Sequence, residues 1–217
     1  QLYEAGKLNG IQGRFFEPQG AEELYDLSVD PYETNNLADQ PAYKGKLLEM
    51  RKILRKQMTE KVDLGMFPEC VWLEEGKDNP SSYGARHRSS VRRYLDIADL
   101  ELCDSGNIVA RKRVCRALES EDPVERYWGA TVCASWGEKA SFASTLLFRL
   151  MQDEAVYVAS RAIVAMSRLQ EKALDDELME VWKRAKGTPE KLSVLNDMVF
   201  LQDSFVNCHF EFEQGSE

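Results

Sequence analysis

Histidine is scarce in this chain, with only His87 and His209 among 217 residues, and the five cysteines are widely scattered. No Cys-x-x-Cys pair occurs, and neither histidine stands at zinc-ligand spacing from a cysteine, which argues against a zinc ribbon or finger. Cys70, Cys103, Cys115, Cys133 and Cys208 read as buried free thiols, with one disulfide as the alternative, and leave the compartment open. No apolar run approaches the roughly 20 residues that cross a bilayer, so no membrane span is expected. Gln1-Leu2-Tyr3-Glu4 lacks the basic start and apolar stretch of a signal peptide. The missing initiator methionine places the expected true N-terminus upstream. Positive charge is also short: 28 Lys and Arg face 37 Asp and Glu, a net charge of -9. That balance argues against a nucleic-acid binder, which needs a basic face to neutralise phosphates.

What is present is enough for one large domain or two small ones, with 43% hydrophobic and 30% charged residues. Leu2, Ala5, Leu8, Ile11 and Phe15 fall at helical intervals, interrupted by Gly6, Gly10 and Gly13. Leu24-Tyr25-Asp26-Leu27 alternates like a short strand, and Asp30-Pro31 opens a turn. Asp39 is a candidate N-cap for a helix with Pro41 in its first turn. Tyr43, Leu47, Met50, Leu54 and Met58 then mark one face over four turns, with Lys and Arg crowding the others. Residues 74–90 collect Gly76, Pro80, Gly84 and four serines and read as a linker, between candidate domains at 1–70 and 92–217. The linker region, 71–91, adjoins a basic island, where Lys77, Arg86, Arg88, Arg92 and Arg93 meet one acid, Asp78. Arg86-His87-Arg88 is a candidate anion contact, weighed against a plain solvated linker.

From about Arg92 strand signals vanish and apolar residues recur at three and four, as in helices of about 12–18 residues. Residues 124–135 align with 156–167 at an offset of 32: Val124, Ala130, Val132, Cys133 and Ser135 meet Val156, Ala162, Val164, Ala165 and Ser167. Each copy follows an acidic start, Glu121-Asp122 or Asp153-Glu154. The pattern resembles HEAT-like repeats, in which helix pairs bury their faces against the next pair, with an irregular α-helical domain as the alternative. Trp128, Trp136, Trp182, Phe142 and Phe148 are expected in the core or at repeat interfaces rather than as a sugar-stacking platform. Glu125 with Arg126, and Glu171 with Lys172, read as solvated charges. The aromatic tail Phe205–Phe212, with His209, is expected to dock or fray.

One stretch points to chemistry. Glu22-Glu23-Leu24-Tyr25-Asp26-Leu27, Asp30-Pro31, Glu33 and Asn36-Leu37-Ala38, then Leu47-Leu48-Glu49-Met50-Arg51, resemble the C-terminal segment of type I (formylglycine-dependent) sulfatases, closest to heparan N-sulfatase-like glycan sulfatases. The resemblance runs over about residues 1–70. It implies a short strand and helix segment of a C-terminal subdomain, with Tyr25, Asp26, Asp30, Glu33 and Asn36 in structural roles; calcium binding by Asp30, Glu33 and Asp39 is the sharper alternative. Such enzymes carry a Cys/Ser-x-Pro-x-Arg motif, whose formylglycine attacks sulfur while calcium and basic side chains hold the sulfate oxygens. No cysteine or serine of this chain has that setting.

The expectation is therefore a mainly α chain: a sulfatase C-terminal strand and helix segment followed by a HEAT-like domain. It lacks the catalytic core and assigns no catalytic, cofactor or metal residue here. Calcium and formylglycine belong to an upstream sulfatase domain, which is the expected partner, with a sulfated glycan as a second. By resemblance the protein is periplasmic or secreted. The alternative is a helical interaction module with no catalytic role.

Overall fold

The computed structural model describes residues 2–3, 5–17 and 20–212. Among them the regular structure is entirely helical, and it divides into two compact units, 1–57 and 58–217.

The first unit is built mostly from turns. Asn9 and Gln12 form a reciprocal capping box, yet the helix they start, α1 (Gly10–Gly13), lasts one turn before a 3-10 turn at Arg14–Phe16. The long helix suggested for residues 1–17 is thus reduced to four residues, since three glycines favour the open chain. Residues 22–26 form no strand, helix or turn. A strand exists only in a ladder, and no second strand is present among the described residues. The backbone of Leu24 is satisfied instead by Asn36, whose Oδ1 accepts from Leu24 N at 3.0 Å, and by Leu37 N, which donates to Leu24 O at 2.8 Å. The expected helix after Asp39 is present as a 3-10 turn, Pro41–Tyr43, leading into α2 (Lys44–Lys61). Gln40, not Asp39, is the cap residue, and it caps through no side-chain bond.

The second unit holds the core. A 3-10 turn at Leu64–Met66 leads to α3 (Glu69–Gly76), α4 (Pro80–Arg86) and α5 (Arg88–Ala98). Most of the stretch expected as a linker is therefore helical. Asn79 caps α4 by accepting from Ser82 N at 2.9 Å, and Pro80 occupies the first turn, where its missing N–H costs nothing. Gly76 is needed for packing, because a Cβ there would lie 2.9 Å from Tyr83 Cβ. After α6 (Ile108–Leu118) come α7 (Pro123–Trp136) and α8 (Ser144–Leu150). The chain ends in α9 (Val156–Gln170), α10 (Asp175–Arg184) and α11 (Gly187–Ser204). The aligned segments 124–135 and 156–167 lie in α7 and α9, which pack together at the centre. Eleven of the fifteen residues of α9 are buried. α10 opens on Asp175, Asp176 and Glu177 and closes on Lys183 and Arg184, matching its dipole at both ends.

Trp136 is buried, and Trp128, Trp182 and Phe142 pack against the cores, while Phe148 is exposed. The tail docks: Cys208 is buried and Phe212 meets Trp182 edge-on at 5.3 Å. All five cysteines are free, three of them buried.

Candidate functional site

The residues of the 22–39 motif are bound to one another. Asp26 Oδ1 accepts from Ser28 N at 3.1 Å and from Ser28 Oγ at 2.6 Å. Asp30 accepts from Thr34 Oγ1 at 2.9 Å and from Asn35 N at 2.8 Å, and backbone N–H groups of Thr34 and Asn35 hold its carboxyl below the ordinary range. Asn36 Oδ1 also accepts from Ala38 N at 3.0 Å, and Glu22 takes a two-pronged bond from Arg51. Arg14 donates to Thr34 O across the loop. This is a turn-stabilising network, in which the carboxylates of Glu22, Asp26 and Asp30 already have their donors. Among the described residues no three His, Cys, Asp or Glu are grouped to hold a metal ion.

Two arginines of the basic island are likewise partnered. Arg93 bonds Glu125 at 2.8 Å and Asp122 at 2.9 Å, and Arg86 donates to Ser82 Oγ at 2.9 Å. His87 stacks on Tyr83 at 4.4 Å and meets Phe67 edge-on at 5.9 Å. The expected solvated pair Glu125 and Arg126 is in fact engaged, since Arg126 grips Asp153 through Nε at 2.8 Å and Nη2 at 2.9 Å. Glu171 and Lys172 are exposed.

The best-formed site lies within the second unit. A groove of about 400 Å³ runs between the turn preceding α3, α7, α9 and the start of α11. Trp72, Tyr127 and Trp128 supply aromatic wall, Ser193 and Asn196 supply polar groups, and Glu69 sits at the exposed rim. Trp128 is locked by its Nε1, which donates to Met66 O at 2.9 Å. Tyr127 is held between Trp128 and Tyr157, with ring centroids 5.7 and 6.0 Å away.

Arg161 is the polar centre of the groove. It projects from the buried helix α9, with its guanidinium 5.3 Å over the Tyr127 ring and Nη2 donating to Tyr127 Oη at 3.3 Å. Burying that charge requires a counter-charge, which Asp197 of α11 provides at 3.0 Å. Burial pushes the Asp197 carboxyl up, while Arg161 and the Ser160 hydroxyl, which donates at 2.5 Å, oppose the shift. Nε of Arg161 is buried without a hydrogen-bond partner. Sequence spacing hides this assembly, because Trp72, Arg161 and Asp197 are far apart in the chain. The signal available was an arginine in the middle of the largely apolar run Val156–Met166.

One curated protein is similar to part of the chain: an ulvan-active sulfatase of Formosa agariphila, 41% identical over 76 residues. The chain carries a sulfatase-related segment. The match takes in 35% of this chain but 13% of that enzyme's length. No family model matches, and no solved structure matches. No helix among the described residues is long and apolar enough to cross a membrane.

Proposed function

We propose that the chain is the C-terminal portion of a sulfatase, a sulfuric ester hydrolase acting on sulfated glycans, and that its first 70 or so residues complete a subdomain built with an upstream catalytic domain. The observation that carries this reading is the missing core of the first unit. Leu37 is its one buried hydrophobic among the described residues, while Phe15, Val29 and Tyr32 are 82%, 80% and 86% exposed. No residue of α2 is buried, and Met50 and Leu54 of its apolar face are 47% and 57% exposed. A unit of that size needs a buried face to offset its ordering entropy. The strand-like sequence at Leu24–Leu27, which forms no ladder among the described residues, fits the same reading, since a sheet strand supplied from upstream would complete it.

Two resemblances, to heparan N-sulfatase and to an ulvan-active enzyme, favour a sulfated polysaccharide as substrate and hence a periplasmic or secreted location. Formylglycine and calcium would supply the sulfur chemistry in the upstream domain, and residues 1–70 would pack and position it. The second unit is proposed to be HEAT-like: α7 with α8, and α9 with α10, are successive helix pairs at close to the 32-residue spacing of the repeat. Reading the gene upstream tests the proposal. An in-frame Cys/Ser-x-Pro-x-Arg motif is expected, and its absence would leave the interaction-module reading, which the groove favours.

A further inference from the structure

We infer that the groove around Arg161 is a binding site for a saccharide bearing an anionic oxygen group, a sulfate ester or a carboxylate. Three features point there. The first is shape and chemistry: Trp72, Tyr127 and Trp128 line a groove of about 400 Å³ with Ser193 and Asn196, and apolar sugar faces pack on aromatic rings while hydroxyls bond to small polar side chains. The second is preorganisation. The Trp128–Met66 hydrogen bond and the Arg161–Tyr127 stacking fix two of the rings before any ligand arrives, which lowers the ordering cost of binding.

The third is unused hydrogen-bonding capacity. Asp197 and Tyr127 both engage Nη2, and Nε has no acceptor, although a buried donor left unpaired is costly. A planar guanidinium suits the oxygens of sulfate and carboxylate groups. Because Asp197 already balances its charge, recognition proceeds through these donors together with the rings, so a bare anion is a poor ligand and an anionic sugar a better one. Glu69 stands at the solvent-exposed rim, where water screens its repulsion.

The choice of a saccharide rests on the sulfatase reading, but direct binding to this chain is measured without any sulfatase activity and can fail while that reading stands. The full 217-residue chain is titrated by calorimetry with ulvan tetrasaccharides that are intact, desulfated or carboxyl-reduced, and with sodium sulfate. Saturable binding of the intact sugar is expected, weakened about tenfold in one of the two modified sugars, which identifies the group read. Trp72→Ala should weaken binding about tenfold, and Ser193→Trp, which fills the groove from a half-buried position, should abolish it. Melting curves establish that each variant is folded; if Trp72→Ala is not, Ser193→Trp alone decides. No binding, equal binding of all three sugars, binding of sodium sulfate as tight as the intact sugar, or a folded Ser193→Trp with unchanged affinity would each overturn the inference.

Discussion

Asp153 illustrates how single residues join helices in this chain. Its carboxylate accepts two bonds from Arg126 of α7 and a third, at 2.9 Å, from Ala155 N at the start of α9. Removing it leaves a largely buried guanidinium and the Ala155 N–H without their acceptor at once. Asp153→Ala is expected to cost on the order of 3 kcal/mol in urea unfolding, and a cycle with Arg126→Ala should show the two losses to be far from additive. Asp30 gives a pH test. Its folded-state carboxyl lies below the ordinary 3.8 because backbone N–H groups of Thr34 and Asn35 stabilise the charged form. The contribution is therefore present above about pH 4 and lost as pH falls through the lowered folded value. Amide signals of Thr34 and Asn35 should titrate below pH 4, and Asp30→Asn should remove that step. The structural role of Asp30 and Asn36 was legible from their residue types, since Asp and Asn favour turns by bonding nearby backbone. The role of Arg161 was not, because its meaning depends on Asp197 one helix away in space and 36 residues away in sequence.

Helix ends were easier to read than helix faces. The acidic start before Val124 does cap α7, with Asp122 accepting from Val124 N at 2.9 Å, whereas the cap residue of α9 is Ala155, which caps through no side-chain bond. By contrast Gly76, Pro80 and Gly84 were read as breakers, although Pro80 begins a helix and the glycines let elements approach closely. The alternation at residues 24–27 fits a strand, yet pairing is decided by what lies beside it, and among the described residues only the loop at Asn36 and Leu37 bonds its backbone. The end of α9 is strained. α9 closes on Glu171 at φ 50°, ψ 36°, a left-handed conformation in which a Cβ is unfavourable. The side chain is exposed, so Glu171→Gly should stabilise the second unit by about 1 kcal/mol and raise its melting temperature. A lowered melting temperature would mean that the glutamate side chain contributes more than its backbone costs.

At the scale of the whole molecule the two units differ in kind. Residues 58–217 contain both hydrophobic clusters, whereas residues 1–57 bury one hydrophobic among those described. Expressed separately, 58–217 should melt cooperatively and keep its near-ultraviolet circular dichroism, and 1–57 should show neither property. Sequence periodicity anticipated the helical character of the second unit but not the emptiness of the first, since an apolar stripe on α2 reads the same whether or not its cover is part of the chain. That difference makes sense if the first unit is the closing piece of an enzyme whose chemistry lies upstream. The most direct test of that claim is sulfate release from ulvan by the product of the complete gene. Release that is lost when the Cys or Ser of an upstream Cys/Ser-x-Pro-x-Arg motif is replaced by Ala is the predicted result; a complete product that lacks the motif and releases no sulfate would contradict it.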